Sequence, residues 1–217
     1  MLMGILIWVV CIGRSDVAHA TSSLSRFSSC PRQGHVEQAL RVFGYLKKKP
    51  NCRFVVDSRE PKFLGGEDVM GKDFTKELAE QYPDAKEEMD AQIPGPPVDE
   101  ISLTAFVDSD HAHDKVPRWS ITGLMIFAGR TPVFYLSRRQ GAIETSTYGA
   151  EFCAMKTGVE EIVALRYMLR CLGVKMECPS VMCGDYMGVI QNCTIRSSLL
   201  KKKHVAIAYH KTQKAAA

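Results

Sequence analysis

The sequence predicts an α/β fold: a mixed sheet of three antiparallel strands and then a parallel one, flanked by helices, with a small helical segment ahead of it. Three observations predict it. ISLTAFVD, SITGLMIFAG and PVFYLS follow one another over 101–137 with tight connections, the pattern of an antiparallel meander. A long helical stretch then runs from about Tyr148 to Leu172 and is closed by Gly173. A fourth apolar strand, SVMCGD, follows that helix, so a helical crossover returns it parallel to the first.

Of the 217 residues, 46% are hydrophobic and 24% charged, which excludes a disordered or fibrous chain. Charge is unevenly spread. Residues 1–56 carry eight Lys/Arg against two acids, 57–100 five against thirteen, and 101–217 fifteen against nine. Two basic lobes around an acidic spacer suit a polyanion, although solubility alone also produces such excesses. Eight cysteines form no C-x-x-C pair, and Cys153 and Cys183 sit in apolar runs, so buried, reduced thiols of an intracellular protein (cytoplasmic or nuclear) are expected.

Element by element, MLMGILIWVV reads as a buried helix ended by Gly13. AHA at 18–20 mimics a signal-peptidase site, but no Lys or Arg precedes the apolar run. Secretion is therefore disfavoured, and the run is too short to span a membrane. Asp16 is positioned to cap a second helix from Val17 towards Phe27. HVEQALRVFGYLKKK places Val36, Leu40 and Phe43 on one face of a third. Three such short helices make a poor core alone, and the first begins without a start signal, as a piece of something larger does. CRFVVD reads as a short strand, with a helical turn near 76–90 and a stiff boundary at Pro94-Gly95-Pro96-Pro97. The expected domains are 1–56 (helical), 57–100 (acidic linker) and 101–217 (the sheet).

In the last segment Ile101, Leu103, Ala105 and Val107 alternate on one face up to Asp108, and Gly129-Arg130-Thr131 turns the chain between strands two and three. RRQGAIETST is a polar loop, Ser146 and Thr147 cap the long helix, and Tyr148, Phe152 and Met155 belong to the core. YMGVIQNC and a basic segment from about His204 supply two more helices.

Three acids stand where packing does not require them. Asp108 ends the first strand, Asp185 ends the fourth, and Glu151 lies in the first turn of the long helix. Parallel neighbouring strands bring both aspartates to one sheet edge, near the start of that helix. Three carboxylates at one spot repel unless a cation sits between them, and oxygen-only ligands favour Mg²⁺ or Mn²⁺. Two such ions are a known device for hydrolysing a phosphodiester. Taken singly, a strand-end Asp is usually a turn residue and a first-turn Glu usually answers the helix dipole.

VDSDHAHDKVPRWSITGLMIF, RRQGAIETSTYGAEFCAM, CGDYMGVIQN and LLKKKHVAIAYH together resemble the ribonuclease H domain of copia-type retrotransposon polyproteins. LIWVVCIGRSDVAHATSSLSRFSSCPRQGHVEQALRVFGYLKKKP is similar to the C-terminal end of the adjoining reverse transcriptase, whose palm lies outside this sequence. The resemblance implies a ribonuclease H-like fold and an endonuclease cutting the RNA strand of an RNA·DNA hybrid. It implies two-ion hydrolysis, with Asp108 bridging the ions and Glu151 and Asp185 completing the cage. A polymerase domain would be supplied elsewhere, and no membrane is expected. Three departures stand out: Tyr186 in place of Asn, Trp119 in place of Arg, and Ala206 where many relatives carry a fourth acid. The missing acid weakens a second metal site, and the alternative is an inactive transposon remnant that at most binds nucleic acid.

His204 is a candidate for proton transfer, set against an exposed basic helix start. Arg196, Lys201, Lys202 and Lys203, in a stretch with no acid over 186–217, suit contact with hybrid phosphates, as do Arg138 and Arg139. His111 and His113 lack further ligands at zinc spacing and read as a solvated loop, while Asp110 is a candidate to assist the metal site, set against an ordinary loop carboxylate.

Overall fold

The computed structural model describes residues 1–52, 54–57, 59, 80–84, 92, 100–114, 117–176, 179–195 and 206–216. Alternation shapes the central strand. In β1 (Leu103–Asp110) Leu103, Ala105 and Val107 are buried on one face, while Phe106, Asp108 and Asp110 are exposed on the other. It pairs antiparallel with β2 (Ile121–Ala128), which pairs antiparallel with β3 (Thr131–Arg139). The short β4 (Val181–Cys183) lies parallel to β1 on its free side, giving the order β3-β2-β1-β4. This is the mixed sheet the sequence predicts.

The apolar face is covered by α4 (Thr147–Cys171), with three helices preceding it: α1 (Leu2–Cys11), α2 (Ala18–Ser25) and α3 (Gln33–Lys48). Phe152, Met155, Ile162 and Leu165 of α4 share one core with Leu103, Ala105, Val107 and Ile126. A Cβ at Gly158 would stand 3.1 Å from Val107 Cγ2 and 3.3 Å from Met182 Cε, so glycine permits this close approach of helix to sheet. Ser146 Oγ accepts from Gly149 N–H at 3.2 Å and caps the helix, as expected. Buried Gln140 pins that first turn to β2, donating to Ala150 O at 2.8 Å and Thr122 Oγ1 at 3.1 Å. Gly173, at φ 79°, closes the far end. Beyond it the buried Arg166 and Arg170 both donate to Met176 O, at 2.7 and 2.8 Å, and tie down the connection to β4. Helices α5 (Met187–Thr194) and α6 (Ala206–Ala216) complete the layer, with the Phe152 and Tyr209 rings 6.4 Å apart.

On the sheet's opposite face α2 packs against β3, with α1 and α3 packed on α2. Tyr135 Oη donates to Val10 O, and Arg26 pairs with Asp114 at 2.8 Å. No described helix is long and apolar enough to cross a membrane.

Several expectations are corrected here. Only Leu6 of α1 is buried, and Trp8 is 63% exposed, because the helix is apolar all round and covers just one side against its neighbours. Asp16 accepts the Arg14 guanidinium at 2.9 and 3.0 Å instead of capping, and α2 starts at Ala18 after a 3-10 turn at Ser15–Val17. In α3 the buried residue is Ala39, while Val36 and Leu40 are exposed. No strand forms at 54–57, where Asp57 N–H donates to Thr131 Oγ1 at 2.8 Å and its carbonyl accepts from Arg130. β1 continues two residues past Asp108, and Arg138 and Arg139 belong to β3. The seven described cysteines are free thiols, but Cys153 and Cys183 are half-buried and Cys193 is the buried one. The turn expected near 76–90 lies outside the described residues apart from a helical 80–81, as does the Pro94–Pro97 run.

Candidate metal centre

Parallel pairing decides where the two aspartates stand. Phe106 of β1 is opposite Cys183 of β4, so Asp108 and Asp185, each two residues further on, hold equivalent places at one edge of the sheet. Asp108 lies within β1, opposite Gly123, and not at its end. Glu151 is the fifth residue of α4, in its second turn, because the helix begins at Thr147. It shares the buried stripe with Met155, Gly158, Ile162 and Leu165, a 3.6-residue period that faces the core. An acid on that stripe, 7% exposed, sits where packing alone would place a leucine.

One carboxylate oxygen from each of Asp108, Glu151 and Asp185 lies within 4.8 Å of the other two. Burial first, then Asp185 and Asp108, pushes the Glu151 carboxyl up to about 7, against a hydrogen bond from Ser109 N–H that favours its charge. None of the ion pairs among the described residues involves any of the three. The donor chemistry fits a hard divalent cation: oxygen ligands only, with mutual repulsion that a cation would relieve.

The two aspartates open onto a groove of about 670 Å³ between the sheet face and the N-terminal segment. Ser15, Ala18 and His19 line one wall, and Asp110 and Tyr135 line the other. Sheet register then separates the two arginines. Arg139 is opposite Ile121, itself opposite Asp110, so it belongs to the face of Asp108; Arg138 belongs to the face of Ser109. The Arg139 guanidinium lies 4.6 Å from the centre of the Trp119 ring.

Arg196, Lys201, Lys202, Lys203 and His204 lie outside the described residues. Ala206 opens α6, and Tyr186 precedes α5 with its ring 6.0 Å from that of Tyr148. The loop expected to be solvated is partly buried instead. His111 Nε2 is 3.1 Å from Glu144 O, His113 Nδ1 is 2.5 Å from Asp110 Oδ2, and Asp110 is the last residue of β1. His19 and Gln140 went unmarked in sequence, since neither stands in a pattern until the chain is folded. Glu151 did carry a local signal, an acid on an otherwise apolar helical stripe.

No protein-family model matches the sequence. Over 197 residues, 91% of the chain, it is 23% identical to the retrovirus-related Pol polyprotein from transposon RE1 of Arabidopsis thaliana. The chain is similar to copia-type retrotransposon Pol polyproteins. The polyprotein from transposon RE2 of the same plant is 27% identical over 110 residues, 51% of the chain. The chain spans 11% and 8% of the lengths of these two Pol polyproteins. Among solved structures, the N-terminal ribonuclease H domain of a Mycobacterium tuberculosis protein, fused to maltose-binding protein, matches 52% of this chain and 78% of its own. Its TM-score is 0.38 and its identity 15%.

Proposed function

We propose that residues 101–217 form a divalent-metal-dependent nuclease domain that hydrolyses the RNA strand of an RNA·DNA hybrid. On this reading 57–100 is a linker and 1–56 derives from the end of a reverse transcriptase, within a retrotransposon polyprotein. The observation that carries it is the convergence of Asp108, Glu151 and Asp185, from three separate elements, within 4.8 Å.

Asp108, on β1, would be the ligand common to both ions if two were bound, and Glu151 and Asp185 would hold them with it. Bound Mg²⁺ or Mn²⁺ would supply charge neutralisation at the scissile phosphate and activation of water for in-line attack. Ser109 N–H orients the Glu151 carboxylate, and the core around Phe152 and Met155 keeps that side chain from swinging into bulk water. Arg139, on the Asp108 face, is available to backbone phosphates, whose contacts position a duplex without reading its sequence. His204 is assigned proton transfer at the leaving oxygen, and Arg196 with Lys201, Lys202 and Lys203 further phosphate contact.

Ala206 favours a second reading, an inactive remnant that binds nucleic acid at most. The full chain incubated with a labelled RNA·DNA hybrid and Mg²⁺ or Mn²⁺, beside Asp108→Asn, separates the two. Metal-dependent cleavage that disappears in Asp108→Asn is the expected result. Equal silence in both chains leaves the remnant.

A further inference from the structure

We propose that His19, Asp110 and His113 form a second metal site, for a zinc-class ion, that clips the N-terminal helical segment to the sheet. One ligand atom from each lies within 4.8 Å of the other two. The His19 and His113 rings meet edge to face with centroids 5.1 Å apart, and His113 Nδ1 lies 2.5 Å from Asp110 Oδ2. The three side chains come from α2, the end of β1 and the loop after it.

Groups that are not ligands hold this arrangement. Arg26, on the residue following α2, pairs with Asp114 at 2.8 Å, with side chains only 17% and 21% exposed, so α2 is anchored beside the loop independently of His19. The loop is fixed in turn by Ala112 N–H on Ser120 Oγ and by His111 on Glu144 O, both at 3.1 Å. Ala112 adopts φ 52°, a left-handed conformation that an L-residue holds only under external constraint. The imidazoles are thus held close before any ion arrives.

Donor chemistry distinguishes this site from the carboxylate trio. Two imidazoles and one carboxylate suit Zn²⁺ and its first-row neighbours, whereas Mg²⁺ prefers oxygen alone. Three protein ligands leave a fourth position for water. The side chains of Asp110 and His113 are 52% and 27% exposed, which leaves a path for the ion. A bound ion would take the place of the direct His113–Asp110 contact, and the bridge would join α2 to β1.

The full chain, stripped with EDTA and kept reduced, is titrated with Zn²⁺ calorimetrically and with Co²⁺ by absorption, under excess Mg²⁺. One equivalent of zinc is expected, retained in Asp108→Asn and weakened at least about tenfold in His19→Ala and in His113→Ala. The Co²⁺ spectrum should show nitrogen and oxygen ligation without a thiolate charge-transfer band. In the unmutated chain, zinc should slow amide hydrogen exchange across 18–25, a readout that does not depend on whether the variants fold. Binding unchanged in both histidine variants, a thiolate band from the free cysteines, or exchange at 18–25 indifferent to zinc would each overturn the proposal.

Discussion

Replacing Glu151 by Gln, a neutral side chain of the same shape, should stabilise the metal-free fold at alkaline pH. The carboxyl sits on the buried stripe of α4 beside Asp108 and Asp185, and its pKa rises from 4.5 to about 7. Below pH 4.5 the group is protonated in folded and unfolded chains alike and contributes nothing to the difference. As pH climbs from 4.5 to about 7 the unfolded chain releases the proton while the fold retains it, so stability falls. Above that window the full difference corresponds to about 3 kcal/mol. Asp108 and Asp185 are exposed and line the groove, so solvent screens part of the repulsion, and about 1–2 kcal/mol is the expected gain for Glu151→Gln at pH 8. Urea unfolding in EDTA should show the midpoint moving up by on the order of 0.5–1 M at pH 8 and hardly at all at pH 4. Mg²⁺ should then stabilise the unmutated chain more than Glu151→Gln. A variant less stable than the parent at pH 8 without metal would refute the reasoning, since the three acids would then not be repelling one another.

Introducing an acid with Ala206→Asp, at the start of α6, should raise hybrid cleavage at limiting Mg²⁺ by about tenfold; an unchanged rate argues against any ligand role for that position. Arg139→Ala should weaken hybrid binding and lower the salt slope of its affinity by about 0.9, with Arg138→Ala, on the other face, nearly silent. Filter binding over a range of salt concentrations distinguishes them, and equal effects would mean that the sheet face does not meet the duplex. Arg166→Ala removes charged bonds to Met176 O and Ser180 Oγ at 2.7 and 3.1 Å and should cost about 2–3 kcal/mol in urea unfolding; a loss below about 0.5 kcal/mol would mean Arg170 alone suffices.

The Asp108→Asn comparison proposed above and these variants address different levels. Loss of cleavage with an unchanged fold belongs to the carboxylate trio. Loss of stability with cleavage retained belongs to the packing beneath it.

Local pattern was enough for the sheet and for the order of elements from 103 to 194. Leu103, Ala105 and Val107 announce a half-buried strand, Ser146 and Gly173 bracket the long helix, and Asp108, Glu151 and Asp185 could be picked out as acids without a packing role. Such features depend on neighbours within a few residues, which is why they are readable in one dimension. Tertiary structure alone decided the rest. The parallel register of Phe106 with Cys183 set the two aspartates level, sheet pairing sent Arg138 and Arg139 to opposite faces, and docking of α2 brought His19 to Asp110 and His113. It also left Val36, Leu40 and half of α1 exposed, against the reading of a third helix with an apolar face and a buried first one. Which face of an element is buried, and which distant side chain it meets, is fixed by partners scores of residues away, and no local periodicity encodes them.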